Sequence, residues 1–177
     1  MTVAFLVLAA IVAGCDWYAV ARGRRHVEYV AKPLALGLLL VAAGFADLGS
    51  AKPWVLVALG LGLLGDVALL FADETAMRED ENPDTAFLIG LSCFLVAHVA
   101  YIVAFVRHGL HPVQALAGVL VVAGASVLAM PKVLHGADRD GGPTLAVVVG
   151  GYAAVLSAMA VLGFGTAAIA TARSLGL

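Results

Sequence analysis

Residues 53–72 read PWVLVALGLGLLGDVALLFA, a run of about twenty residues with one charge, Asp66. That is the length at which an α-helix crosses the hydrocarbon of a bilayer. Pro53 and Trp54 open it in the manner of a membrane helix: proline fits a first turn, where its missing N–H costs nothing, and tryptophan favours the headgroup level. Working outward, similar runs recur on both sides, at about 3–21, 29–49, 86–106, 112–130 and 143–165, with 54–72 as the third of six. Short polar stretches separate them. None alternates as a membrane barrel strand would, and spanning backbone must satisfy its own hydrogen bonds, so the runs are helices.

The composition agrees with this reading. Hydrophobic residues make up 63% of the 177 positions and charged residues 12%, and the mean hydropathy is +1.04. A soluble domain is nearer half apolar and a quarter charged. The fold class is therefore all-α: a polytopic transmembrane helical bundle forming one membrane domain over 1–177, with a short apolar stretch after the sixth span that begins a partial seventh. A net charge of −2 excludes nucleic-acid binding through a general basic field. Cys15 and Cys93 both lie inside apolar runs and read as buried thiols, not as a disulfide or a metal site. Val12-Ala13-Gly14-Cys15 resembles a lipoprotein attachment box, but Met1 to Phe5 lack the basic residues of a signal peptide, so this segment reads as the first span.

The connections set the expected orientation. Loops one, three and five carry Arg22, Arg24, Arg25, Arg78, Lys132 and Arg139, against Lys52, Arg107 and Arg173 on the opposite side. Basic residues favour the cytoplasmic face, which predicts an outside N-terminus in a multi-pass protein of the cell membrane, a bacterial inner membrane. The connector 73–85 holds six acids against Arg78 and reads as a solvated loop, and 131–142 reads as a Gly/Asp-rich loop.

Ionisable groups inside hydrocarbon cost a few kcal/mol each or more and are functional candidates for that reason. Five fall within the runs: Asp16, Lys32, Asp47, Asp66 and His98. Lys32 and Asp47 lie near span ends and could reach the headgroups. Asp16 could serve as a partner for Lys32, and His98 could bond a neighbouring helix. Asp66 is harder to set aside. It follows Gly60, Gly62 and Gly65, which permit close helix approach, and sits about 9 Å inside its span at about 1.5 Å per residue. The same counting places Asp16 and Lys32 in the same half of the bilayer, so Asp66 could neighbour either. On the fourth span Phe87, Gly90, Leu91, Phe94, His98 and Tyr101 recur at three- and four-residue steps and share one face. Such a stripe usually means helix packing, but here it carries two proton-handling groups, His98 and Tyr101.

These residues together resemble the lysoplasmalogenase-like membrane family, YhhN or TMEM86. The resemblance rests on Lys32-Pro33, Gly65-Asp66, the stripe Phe87, Gly90, Phe94, His98 and Tyr101, and Tyr152 followed by Met159. It implies a hydrolase of about eight spans that cleaves the vinyl ether bond of lysoplasmalogens to a fatty aldehyde and a glycerophospho-alcohol. It implies no cofactor and no metal. The partners it implies are a lysophospholipid substrate and the bilayer, with association into a homo-oligomer left open. The catalytic candidates are Asp66, His98 and Tyr101, with Lys32, Asp16 and Phe94 on the substrate. The family's second acid lies in a Ser-Asp motif on its seventh span. No Ser-Asp pair occurs in this chain, which runs from Thr166 to Leu177 and stops, so the expectation is a shortened member whose own activity is in doubt. The rival readings are a small proton-coupled transporter, since buried Asp, Lys and His also build proton relays, and a non-catalytic lipid-binding protein. With Pro33 placed at a helix start and no inverted repeat in view, the sequence favours the hydrolase.

Overall fold

In the computed structural model, which describes residues 1–71 and 85–174, the chain is helical nearly throughout, and no strand occurs among those residues. The helices are α1 (Thr2–Ala21), α2 (Arg25–Phe45), α3 (Lys52–Leu70), α4 (Thr85–His108), and a continuous helical assignment from Pro112 to Ser174. That last assignment is two helices. In a straight helix Gly118 and Phe164 would lie about 69 Å apart, yet a methyl placed on Gly118 would sit 2.7 Å from the Phe164 Cβ. Gly142, with φ +70°, supplies the reversal in the left-handed region where a side chain is disfavoured. It separates α5 (Pro112–Arg139) from α6 (Gly142–Thr166), giving six segments long and apolar enough to cross a membrane.

Several boundaries differ from the sequence reading, each for a local reason. α2 begins at Arg25, four residues early, because the α1–α2 turn needs only Arg22 to Arg24, with Gly23 at φ +64° and the Arg24 N–H donating to the Ala19 carbonyl at 2.9 Å. Pro33 consequently lies inside α2, not at its start. It removes the amide hydrogen that the Tyr29 carbonyl would otherwise accept. α2 then stops at Phe45, where the Lys52 ammonium donates to the Gly44 carbonyl at 2.7 Å and closes the helix end. Asp47 therefore sits outside the span, exposed in the α2–α3 turn, its Oδ1 accepting from the Gly49 N–H at 3.3 Å. α5 runs through Pro131 to Arg139, so most of the expected loop 131–142 is helix. The stretch read as the start of a seventh span continues the sixth helix to Ser174, as its alanine-rich sequence without glycine or proline favours. The acidic connector falls on residues outside those described.

Packing divides the chain into two compact units, Met1–Ala100 and Tyr101 onward. In the first, α1 packs on α2 and α2 on α3, the Phe5 and Phe45 rings stack at 6.0 Å, and α3 meets α4 at Gly65 and Gly90. In the second, α5 and α6 pack antiparallel, with Leu134 on Gly150 and the His111 N–H donating to the Gly165 carbonyl at 2.8 Å. Among the described residues the buried apolar side chains are alanines with the single exception of Leu59, while valines, leucines and isoleucines face outward. Cys15 also faces outward, against the expectation of a buried thiol. This inside-out distribution suits a bundle in lipid. Tails as apolar as leucine give no drive to bury leucine, and small residues let backbones approach. Gly118→Val is accordingly expected to cost about 1–3 kcal/mol by overpacking against Phe164 and the Val161 carbonyl, 3.1 Å from the added carbon. Thermal unfolding in detergent measures it; an unchanged midpoint would deny this helix contact.

Candidate functional site

The ionisable residues of the first unit converge near the ends of its helices. Asp16 lies on the face of α1 that also carries the buried Ala9 and Ala19, and is only 6% exposed. Lys32 lies on α2, next to the buried Ala31, and Asp66 on α3, next to the buried Gly65. The three are within electrostatic range of one another: Lys32 interacts with both aspartates, and the aspartates with each other. Sequence counting allowed an Asp66–Lys32 or an Asp66–Asp16 neighbourhood, and Asp66 interacts electrostatically with both. Because α3 ends at Leu70, Asp66 lies one turn from its helix end, shallower than counting to residue 72 implied.

The sequence reading missed a fourth member, Glu28. Its carboxylate accepts a short hydrogen bond from the Lys32 ammonium and forms an ion pair with it. An acid four residues before a lysine on one helix is a recognisable signal, but with the span begun at Tyr29 the glutamate fell outside the helix. The pairing changes the role of Asp16. Lys32 spends its direct contact on Glu28, and the Asp16 Oδ1 is buried without a hydrogen bond from any described residue.

α4 closes one side of the site. A methyl on Gly65 would lie 3.0 Å from the Phe94 ring, and one on Gly90 would lie 3.1 Å from the Gly65 carbonyl oxygen and 2.8 Å from Leu69. Phe94 thus packs directly over the residue preceding Asp66. Of the stripe read from sequence, Gly90 and Phe94 make this contact, and the neighbouring Ala97 and Ala100 are buried. One turn beyond Phe94, the His98 Nδ1 donates to the Phe94 carbonyl in a short bond. A carbonyl only accepts, so Nδ1 carries the hydrogen. Tyr101 belongs to the second unit, where its ring stacks on Phe105 with centroids 6.1 Å apart.

Between α1 and α2 lies a groove of about 410 Å³. Val12, Val30 and Leu34 give it apolar walls, Cys15 lines it, and His26 stands at the end nearest the basic α1–α2 turn. Among the described residues no group of three His, Cys, Asp or Glu side chains is placed to hold a metal ion. What the arrangement offers chemically is two carboxylates at different depths of burial, Asp16 and Asp66, beside a Glu28–Lys32 ion pair, a composition from which acid–base pairs are built.

Residues 27–176 match the family model of the YhhN family. No curated protein and no solved structure matches the chain.

Proposed function

This chain belongs to the YhhN family, and from that premise we propose that it is a membrane-embedded hydrolase of the lysoplasmalogenase type, cleaving the vinyl ether bond of a single-chain ether phospholipid. The observation that carries the reading is the electrostatic interaction of Lys32 with both Asp66 and Asp16, borne on three helices long and apolar enough to cross a membrane. A lysolipid anchored by its headgroup holds its vinyl ether just inside the bilayer.

Vinyl ethers hydrolyse by slow protonation of the β-carbon, followed by capture of the resulting oxocarbenium ion by water. The hemiacetal then collapses to aldehyde and alcohol. The reaction needs a proton donor that remains uncharged until used, which hydrocarbon surroundings favour in a carboxylic acid, and negative charge close to the cation as it forms. Asp66 is assigned the donor role. Lys32 balances the charge of the cluster and faces the lipid phosphate, Phe94 and Asp16 border the bound lipid, and His98 orients water or substrate. The alkyl chain lies along the α1–α2 groove, with Arg22, Arg24 and His26 at its headgroup end.

The substrate class is testable directly. Purified protein in lipid nanodiscs is expected to release fatty aldehyde from lysoplasmalogen and to leave the saturated alkyl ether analogue intact, because only the vinyl form has a carbon to protonate. Intact lysoplasmalogen after prolonged incubation would end the proposal. One observation favours a second reading. Pro33 lies inside the continuous helix α2 beside Lys32, contrary to its expected place at a helix start, and the Tyr29 carbonyl it leaves without a helical donor is the kind of freed backbone group with which carriers bind ions. Proton or solute flux in liposomes, without hydrolysis, would make the protein a carrier.

A further inference from the structure

We infer that Asp16 is the second catalytic carboxylate of this site, the one that takes a proton from the attacking water while Asp66 protonates carbon. The inference rests on the hydrolase reading above. It does not come from the family match, which begins at residue 27.

Position is the first argument. Asp16 occupies the packing face of α1, where the other buried residues are alanines. A side chain this short and this buried does not reach the headgroups. The second argument is its unused oxygen. A buried carboxylate ordinarily collects several donors, yet Asp16 Oδ1 receives none from the described residues, and the nearby ammonium of Lys32 is bonded to Glu28. The donor such an oxygen suits is a water or a substrate hydroxyl. Charge counting supplies the third argument. Glu28 and Lys32 pair with each other, so the two proton-handling roles fall to the remaining carboxyl groups of the cluster, Asp16 and Asp66.

The cycle then closes on these two groups. Asp66 gives its proton to the β-carbon as the double-bond electrons form the new C–H bond, leaving an oxocarbenium ion. Water adds to the cationic carbon, and the proton it sheds goes to Asp16. As the hemiacetal collapses, its hydroxyl proton returns to Asp66 and the carbonyl forms. The carbon–oxygen bond to glycerol breaks, and Asp16 protonates the departing oxygen. One water is consumed and both acids finish as they began.

The test uses the full chain with lysoplasmalogen as substrate. Asp16→Asn and Asp16→Ala are expected to lower aldehyde release by about 100-fold or more, the usual range for a lost acid–base group, with the unfolding midpoint kept. Added sodium formate should restore the Asp16→Ala rate by about tenfold or more, because a free carboxylate can fill the space left behind, and should leave Asp16→Asn unmoved. Aldehyde release within about threefold of wild type in either variant overturns the inference while leaving Asp66 in place. So does a loss that formate does not relieve and that comes with a lowered midpoint, which makes Asp16 structural. A wild-type protein that leaves lysoplasmalogen intact overturns the hydrolase reading itself, and this inference with it.

Discussion

Replacing Asp66 with asparagine should reduce aldehyde release from lysoplasmalogen by about 10²–10⁴-fold, the contribution of a proton-transfer group to such a step, while the folded protein accumulates as before. The substitution keeps the shape of the side chain and removes only the acidic hydrogen. Asp66 makes no hydrogen bond or ion pair with any described residue, so no donor is orphaned when the carboxyl becomes an amide, and the neighbouring Gly65–Phe94 contact does not involve it. Loss of rate with retained structure would therefore report chemistry. Purified variant and wild type compared by aldehyde yield and by thermal midpoint in the same detergent give the answer. Turnover surviving in the variant would remove Asp66 from the reaction.

The second large effect is expected at Gly90, which touches no substrate. An added methyl there meets the Leu69 side chain at 2.8 Å and the Gly65 carbonyl oxygen at 3.1 Å. Leu69 can rotate away, but a backbone carbonyl can move only if its helix moves. Gly90→Val should therefore separate α4 from α3 and cost about 1–3 kcal/mol of stability. The same displacement carries Asp66, one residue beyond Gly65. Misplacement of a reacting group by about 1 Å can lower a rate by about 10²-fold. The milder Gly65→Ala pushes on the Phe94 ring at 3.0 Å, which a small ring shift relieves, and should keep more of both. A Gly90→Val protein with wild-type midpoint and rate would mean that α3 and α4 do not meet at these glycines.

Much of the architecture was legible because each span declares itself by length and by lack of charge, and because the glycines before Asp66 permit a close approach, which Gly65 makes. Turns were read less well. Gly23 and the Lys52 ammonium end helices by conformation and by a capping bond, and neither changes the hydropathy that marks a span. A four-residue shift of α2 at both ends was enough to hide the Glu28–Lys32 pair, to misplace Pro33 and to put Asp47 inside the span. The reversal at Gly142 was expected, but a loop was drawn where α5 in fact continues past Pro131. Within the candidate site, counting along helices gave neither the distance of Lys32 and Asp66 from their helix ends, which moved with the boundaries of α2 and α3, nor which helices touch. Deciding that Lys32 prefers Glu28, and that Asp16 is left with an unsatisfied oxygen, required three-dimensional packing.

The alanine-lined interior means that helix pairing here is encoded by absent carbon: partners recognise each other by where two main chains can draw near, not by interlocking bulky groups. Drift over evolutionary time should then run in one direction only. The lipid-facing surface can trade one aliphatic residue for another almost freely, whereas at the seams between helices any increase in size is opposed, so the inner skeleton changes slowly while its coat is rewritten.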